Sequence, residues 1–307
     1  MRKLAPLLLL LLAPLLFPCL VLADDARAQE LLKQARTAIG GEDALQKIQS
    51  LDIKGEYRRV VGEREMAGDR EISISLPDKY LVEDAMSMGG LSTAIINSRG
   101  LNGERAWMGS SGGGGGMVFR MGGPGGQQQA TPEQLEAMLR SSQRKEFTRY
   151  LLAIMMMPPA DFAVEYKYAG ESDVEGAQAE VIEVTGPEKF AVRIFFDKES
   201  HLPLLLSYRG NKPRVMTVFN RPADKNVKVE DAVKHAKDEV EKQMAGGPAA
   251  KPEEVDFFIR VTDYKKANGL MLPHKLTFLT EAVVSEEFQI SKYQVNPQFK
   301  PERFQKN

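Results

Sequence analysis

Residues 263–278, DYKKANGLMLPHKLTF, contain two short strand patterns separated by Asn268-Gly269. Asn and Gly tolerate the positive φ angles that a two-residue hairpin turn requires, so this stretch predicts an antiparallel hairpin. The return strand carries Pro273-His274 after an apolar run. Residues 195–209, FFDKESHLPLLLSYR, have the same outline, with His201 next to Leu202-Pro203. The two histidines therefore belong either to a paired active site or to a repeated hairpin pattern.

The residues around the histidines favour the structural interpretation. Neither His201 nor His274 has a carboxylate or a second histidine at the spacing of a known metal or catalytic motif. His201 lies in a polar turn, where left-handed backbone is often required and where His is tolerated better than most residues. Each proline is predicted to mark the start of a strand, where a missing N–H is harmless. The third histidine, His235, lies among charged residues and is predicted to be solvated.

Patterns of period two extend through most of the chain on both sides of this hairpin. In 51–58 and 71–76, apolar residues alternate with polar ones, as expected for an antiparallel sheet with one apolar face. The same alternation recurs as far as 284–293, and a further turn is predicted at Asn102-Gly103. Together the patterns predict about eleven strands.

Three segments carry helical patterns instead. Apolar residues in 25–39 recur at helical spacing up to Gly40-Gly41, and a short second helix is predicted over 42–49. A third helix is predicted from Thr131, because Thr131-Pro132-Glu133-Gln134 combines an N-cap, a first-turn proline and a capping box. It ends before Pro158-Pro159. The fold class predicted is α+β, with an antiparallel sheet and a few helices.

The first 23 residues have the organisation of a signal peptide. Arg2 and Lys3 precede an apolar run, and Val21-Leu22-Ala23 forms a small-residue cleavage pattern. The run is shorter than the roughly 20 residues that a spanning helix needs, and no later segment is long and apolar enough to span. We therefore predict an exported protein that is cleaved near Ala23 and has no transmembrane segment afterwards.

The mature chain, residues 24–307, is predicted to form a single domain with two irregular segments. A glycine-rich loop is predicted over 109–130, and a charged helical insertion over 221–254, bounded by proline and glycine. The insertion interrupts a strand pattern that resumes after it.

Composition excludes several classes of function. The formal charge of −1 gives no basic surface for a nucleic-acid partner. Cys19 is the only cysteine and lies in the signal peptide, so the mature chain has neither a disulfide nor a thiol nucleophile. Residues 109–113 match G-x-S-x-G, but a run of glycines does not supply the rigid strand-to-helix turn on which that motif depends. We predict that the protein is not an enzyme and uses no cofactor.

Methionines cluster at 86–88, 117–121 and 155–157, the last group ending the third predicted helix. They are core filler, a thioether site for Cu(I), or an adaptable surface for a flexible apolar ligand. The run 151–157 is apolar throughout, which exceeds what one amphipathic stripe buries. Three consecutive methionines on a helix point in different directions, so at least one is expected to face a cavity or a partner.

Several stretches of the sequence, in order from residue 28 to 299, resemble exported proteins of the LolA/LolB-like lipoprotein-carrier superfamily, in particular outer-membrane lipoprotein-sorting proteins. The matching stretches are AQELLKQARTAIGGEDALQKIQSLDIKGE (28–56), PDKYLVE (77–83), NGERAW (102–107), VEGAQAEVIEV (174–184), FFDKESHLPLLLSY (195–208), VTDYKKANGLMLPHKLTF (261–278) and ISKYQVNPQF (290–299). They are turn and strand-start patterns, so they indicate the fold more than the cargo.

The resemblance implies a curved, incompletely closed antiparallel sheet, a half-barrel wrapped over helices with an apolar cavity between them. It implies a carrier that holds the acyl chains of lipoproteins or lipids, with inner- and outer-membrane sorting proteins as further partners. The alternative is an envelope sensor or scaffold that uses the same fold to bind a protein or polymer. An open cavity favours the carrier, and a cavity filled by its own side chains favours the sensor. The candidate cavity residues are Leu151, Leu152, Ile154, Met155, Met156, Met157, Tyr80 and Trp107; none is a predicted metal ligand.

Overall fold

The computed structural model describes residues 18–61, 64–87, 95–111, 131–212 and 253–305. The helices are α1 (Pro18–Ile39), α2 (Glu42–Gln46) and α3 (Pro132–Met155). The strands are β1 (Ser50–Val61), β2 (Arg64–Ser75), β3 (Lys79–Ser87), β4 (Ile95–Asn102), β5 (Arg105–Ser111), β6 (Glu165–Val174), β7 (Ala177–Gly186), β8 (Phe190–Asp197), β9 (Pro203–Asn211), β10 (Glu254–Ala267), β11 (Leu270–Thr280) and β12 (Val283–Val295).

The strands form one antiparallel sheet of twelve in the order β5-β4-β3-β2-β1-β12-β11-β10-β9-β8-β7-β6. Each strand pairs with its sequence neighbour, except that β1 pairs with β12 and so joins the two halves of the sheet. Among the described strands the sheet is not closed, because β5 and β6 are its edge strands. This is the predicted α+β fold, a curved, open antiparallel sheet over a few helices, with twelve strands in the described part of the chain where about eleven were predicted.

Helix α3 connects the two edge strands and crosses the apolar face of the sheet on the way. It contacts β4, β5, β9 and β11, while α1 packs on β6 and β11. Thr131 caps the helix through its side chain, and Gln134 completes the predicted capping box. The apolar side chains of α1, α3 and the inner sheet face form one buried cluster. The space inside the curved sheet is therefore occupied by helices.

The hairpin in the stretch quoted first is confirmed. Asn268 and Gly269 have φ angles of 51° and 82°, and Ala267 pairs directly with Leu270. Positive φ at both central residues is the mark of a type I′ turn, whose twist matches that of the flanking strands. The turn predicted at Asn102-Gly103 lies one residue later, since Asn102 still pairs with Arg105.

The two histidine–proline elements differ in their structure. His201 adopts the expected left-handed conformation, with φ 59°, and Pro203 starts β9 as predicted. Pro273 does not start a strand, because β11 begins directly after the turn at Leu270. Its missing N–H is tolerated there, since the described pairing of β11 with β12 runs only from Lys275 onwards.

Parts of the predicted domain organisation lie outside the described residues. These are residues 1–17 of the signal peptide, residues 112–130 of the glycine-rich loop, residues 213–252 around the helical insertion, and therefore His235. Helix α1 continues through the predicted cleavage position at Ala23. Gly109, Ser110 and Ser111 belong to β5 rather than to a loop. Ser111 pairs with Ile96 in the sheet, so it does not lie in the strand-to-helix turn of a nucleophile elbow.

Candidate functional site

The apolar end of α3 is fully enclosed. Leu151, Leu152, Ile154, Met155 and Met156 are each 1% exposed or less, and Met157 is partly buried against the same cluster. The expectation that three consecutive methionines could not all face one core assumed a continuous helix. The helix instead ends at Met155, and Met156 is left-handed with φ 56°, which redirects the chain. A curved sheet also receives side chains from more than one side of a helix.

Tyr80 belongs to the same cluster, whereas Trp107 does not. The Tyr80 ring stacks on Phe147 of α3 with centroids 5.2 Å apart. Trp107 packs with Leu81 and Phe304 in a second, smaller cluster. Successive side chains of a strand point to opposite faces, so Leu81 and Trp107 lie on the outer face, which the C-terminal segment covers. The structure therefore brings together all the candidate residues except Trp107.

Two surface concavities among the described residues have no residue of α3 in their lining. One of about 620 Å³ is lined by Gly40, Gly41 and neighbouring residues of α2. The other, of about 500 Å³, lies between the start of α1 and strands β6 and β7. The space between α3 and the sheet is occupied by side chains of the protein itself.

Between α3 and strands β2–β4 lies a polar cluster that we call the ion-pair hub, consisting of Arg70, Asp84, Arg99 and Glu146. Arg70 donates two hydrogen bonds to the Asp84 carboxylate, at 2.6 and 2.8 Å. Arg99 bridges Asp84 at 3.1 Å and Glu146 of α3 at 2.9 Å. The side chains of Arg70 and Asp84 are 1% and 6% exposed, whereas those of Arg99 and Glu146 are 19% and 27% exposed. The hub thus runs from the buried sheet face to the solvent-accessible side of α3.

Three tyrosines contact the ion-pair hub. The Tyr80 hydroxyl donates to Glu146 at 3.0 Å, and Arg70 donates to the Tyr150 hydroxyl at 3.3 Å. The Arg70 guanidinium also lies 3.6 Å from the centre of the Tyr57 ring, a cation–π contact. Glu146 and Tyr150 are one helical turn apart on α3, so this turn is held to the sheet by polar contacts.

The hub lowers the pKa values of its two carboxyl groups. Burial alone would raise the pKa of Asp84, but the charges and hydrogen bonds of Arg70 and Arg99 outweigh it and lower that pKa. The pKa of Glu146 is lowered in the same way, mainly by Arg99 against the effect of burial. Burial raises the pKa of Tyr80 and Tyr150 well above the ordinary value. At neutral pH the carboxylates are therefore ionised and the hydroxyls protonated.

None of the four hub residues was among the predicted site residues. Two of them, Arg70 and Asp84, could have been found from the alternation of side chains along their strands. Extending the inward-facing set Ile74, Ile72 by two residues reaches Arg70, and extending Tyr80, Val82 by two reaches Asp84. A charged residue in phase with the apolar face of two adjacent strands predicts a buried ion pair, and Arg70 and Asp84 are directly opposite each other in the sheet.

Two further findings concern the chemistry that the described part of the chain offers. No group of three or more His, Cys, Asp or Glu residues there is arranged to hold a metal ion. No helix in that part has both the length and the apolar character needed to cross a membrane.

Neither a protein-family model nor a curated protein matches the sequence. Three solved structures are similar to this chain in fold: a LolA superfamily protein from Nitrosomonas europaea, a DUF1329 family protein from Desulfovibrio piger and a putative outer membrane lipoprotein-sorting protein domain from Vibrio parahaemolyticus. Their TM-scores are 0.43, 0.42 and 0.42, at 9%, 9% and 10% identity. The alignments cover 91%, 91% and 90% of this chain, and 97% of each other chain. Matches at these values carry no information about what this chain binds.

Proposed function

We propose that this protein is a non-enzymatic periplasmic carrier that holds an acyl chain of a lipoprotein or lipid between α3 and the inner face of the sheet. The observation that supports it is the contrast along α3. The residues at and just after its end, Leu151–Met156, are buried against the inner face of the sheet, in a region that we call the apolar trough. Its middle, at Glu146 and Tyr150, is fastened by polar contacts.

The side chains of α3 fill the trough in the present structure. We infer that the polar attachment of the helix allows it to move away from the sheet. Ion pairs taken out of water give little net stabilisation, because desolvation offsets most of their mutual attraction. An apolar interface of the same area would hold the helix more firmly. When the hub opens, Arg99 and Glu146 return to water from positions that are already partly exposed.

A lipid chain would replace the contacts that α3 gives up. Each buried methylene contributes about 0.8 kcal/mol, so a chain that covers part of the trough gives useful affinity. The residues proposed to line the opened trough are Leu151, Leu152, Ile154, Met155, Met156, Met157 and Tyr80. Methionine suits such a wall, because its unbranched side chain adapts to a flexible ligand.

A second candidate function is an envelope sensor or scaffold that recognises a protein or polymer. The filled space beneath α3 favours it, since the described side chains of α3 and of the inner sheet face form one buried cluster there. In this case α3 is a permanent part of the core and binding occurs on the outside.

Native mass spectrometry of the protein purified from its own envelope separates the two functions. The carrier predicts a bound species with the mass of a lipid or an acylated peptide, which a detergent wash removes. A protein that is always free of lipid, and that also fails to take up a fluorescent fatty acid, excludes the carrier and leaves the sensor or scaffold.

A further inference from the structure

Arg149 occupies an unusual position on α3. Its guanidinium lies 3.8 Å from the centre of the Tyr208 ring and 5.8 Å from that of Phe190. Tyr208 in turn stacks on Phe257, which lies directly opposite it on β10, with centroids 5.2 Å apart. Arg149 therefore lies against an aromatic wall formed by β8, β9 and β10.

Arg149 has no anionic partner within the described part of the chain. Its Nε is buried without a hydrogen-bond partner. The neighbouring acid, Glu146, already accepts hydrogen bonds from Arg99 and Tyr80. Arg140 and Arg144, on the same helix, pair with Glu104 and Asp161. Arg149 thus differs from Arg140 and Arg144 in having no anionic partner among the described residues.

Further positive charge lies close to Arg149. Lys145 is one helical turn earlier, so the two side chains project from the same side of α3. Burial lowers the pKa of Lys145, and the charges of Arg149 and Lys189 lower it further against the opposing effect of Glu188. Burial likewise lowers the pKa of Arg149. The acids that act on these basic groups are Glu188 and Glu146, and Glu146 already accepts hydrogen bonds from Arg99 and Tyr80. A half-buried guanidinium without an anionic partner remains costly until an anion pairs with it.

We propose that Arg149, assisted by Lys145, binds a single phosphate or carboxylate group, and that the wall of Tyr208 and Phe257 accommodates the apolar chain attached to it. The planar fork of a guanidinium matches both anions with two parallel hydrogen bonds. If the anionic group belongs to a lipid, this inference rests on the proposed carrier function. A free anion would bind the same site whether or not the protein is a carrier.

The test compares three ligands: a fluorescent long-chain fatty acid, its methyl ester and inorganic phosphate. The site predicts that the wild type binds the acid about tenfold more tightly than the ester, a factor that corresponds to ~1.4 kcal/mol. Arg149→Gln should remove this preference without weakening the ester. Arg149→Lys should keep part of it, and Arg140→Gln, on the same helix, should leave it unchanged. Thermal melts of each variant verify that it is folded.

The outcomes separate the two proposals. Equal affinity for acid and ester, with no effect of phosphate on the wild-type melt, overturns the anion site and leaves the carrier intact. A phosphate-induced rise in the wild-type melting temperature that Arg149→Gln loses, without binding of either amphiphile, supports the site for a free anion and excludes the carrier. Absence of all three effects overturns both. An acid preference that survives in Arg149→Gln also overturns the site.

Discussion

The guanidinium of Arg70 and the carboxylate of Asp84 face each other across β2 and β3 and form two hydrogen bonds of 2.6 and 2.8 Å. Both side chains are almost completely buried. This pair anchors the ion-pair hub from which α3 is held to the sheet, so its removal tests how the helix is attached.

Arg70→Ala is expected to destabilise the fold by about 3–5 kcal/mol, because it leaves Asp84 buried with only Arg99 as a cationic partner. The matched control is Arg58→Ala, which removes a pair with Glu287 from a side chain that is 54% exposed. Its expected cost is about 0–1 kcal/mol. Urea denaturation with a constant m-value measures both changes. Equal small losses would show that the hub contributes nothing specific.

Acid should weaken the attachment of α3. The folded-state pKa values of Asp84 and Glu146 are lowered, so their contribution to stability is complete above the ordinary carboxyl range of about 4. It is lost as the pH falls through the lowered values, because the unfolded chain then binds more protons than the folded one. Urea denaturation at pH 7, 4 and 3 should show a smaller acid-induced loss for Glu146→Gln than for the wild type. The same acid dependence in both proteins would contradict this role of Glu146.

The predicted insertion should be dispensable for folding. The backbone N–H of Lys212 donates to the carbonyl of Glu253 at 2.7 Å, so the two ends of the intervening chain meet in the sheet between β9 and β10. Replacing residues 213–252 with a short Gly/Ser linker should therefore leave a cooperative thermal melt. Loss of the cooperative transition would mean that the segment completes the core.

His201→Ala and His274→Ala are expected to change stability by about 1 kcal/mol or less and to leave ligand binding unchanged. His201 occupies a left-handed turn position. His274 donates one hydrogen bond from Nδ1 to the Leu272 carbonyl, 3.0 Å away, and packs edge-on against Tyr293. Thermal melts and titration with a fluorescent fatty acid measure the two properties. If either folded variant lost binding, the histidines would belong to a functional site after all.

Local signals in the sequence were sufficient for most of the fold. The Asn268-Gly269 turn, the capping box at Thr131 and the left-handed His201 each depend on a few neighbouring residues, and each is found as predicted. The prediction that Pro273 starts a strand was wrong. A proline inside β11 is tolerated because β11 pairs with β12 only from Lys275 onwards, and this pairing depends on residues that are distant in the sequence.

Less of the candidate site than of the fold could be predicted from the sequence. The apolar run from Leu151 to Met157 lies in or against one buried cluster, and its role as a cavity wall stays a prediction. The left-handed Met156, which turns the last side chains into the core, gives no compositional signal. Trp107 was grouped with Tyr80, although the alternation of β3 and β5 places it on the other face. The pairing of Glu146 with Arg99 joins a helix to a strand 47 residues earlier and depends on where α3 crosses the sheet.

The central claim is that the trough around Met155 accepts an acyl chain, and titration of the folded protein with a fluorescent long-chain fatty acid tests it most directly. The account predicts saturable binding of one probe per chain to the wild type. It also predicts loss of binding in Met155→Asp and retained binding in Leu135→Asp, which places the same charge on an exposed position of the same helix. Met157→Asp, at a partly buried position, replaces Met155→Asp if the latter does not fold. Absence of binding by the folded wild type, or undiminished binding by the folded trough variant, would contradict the claim.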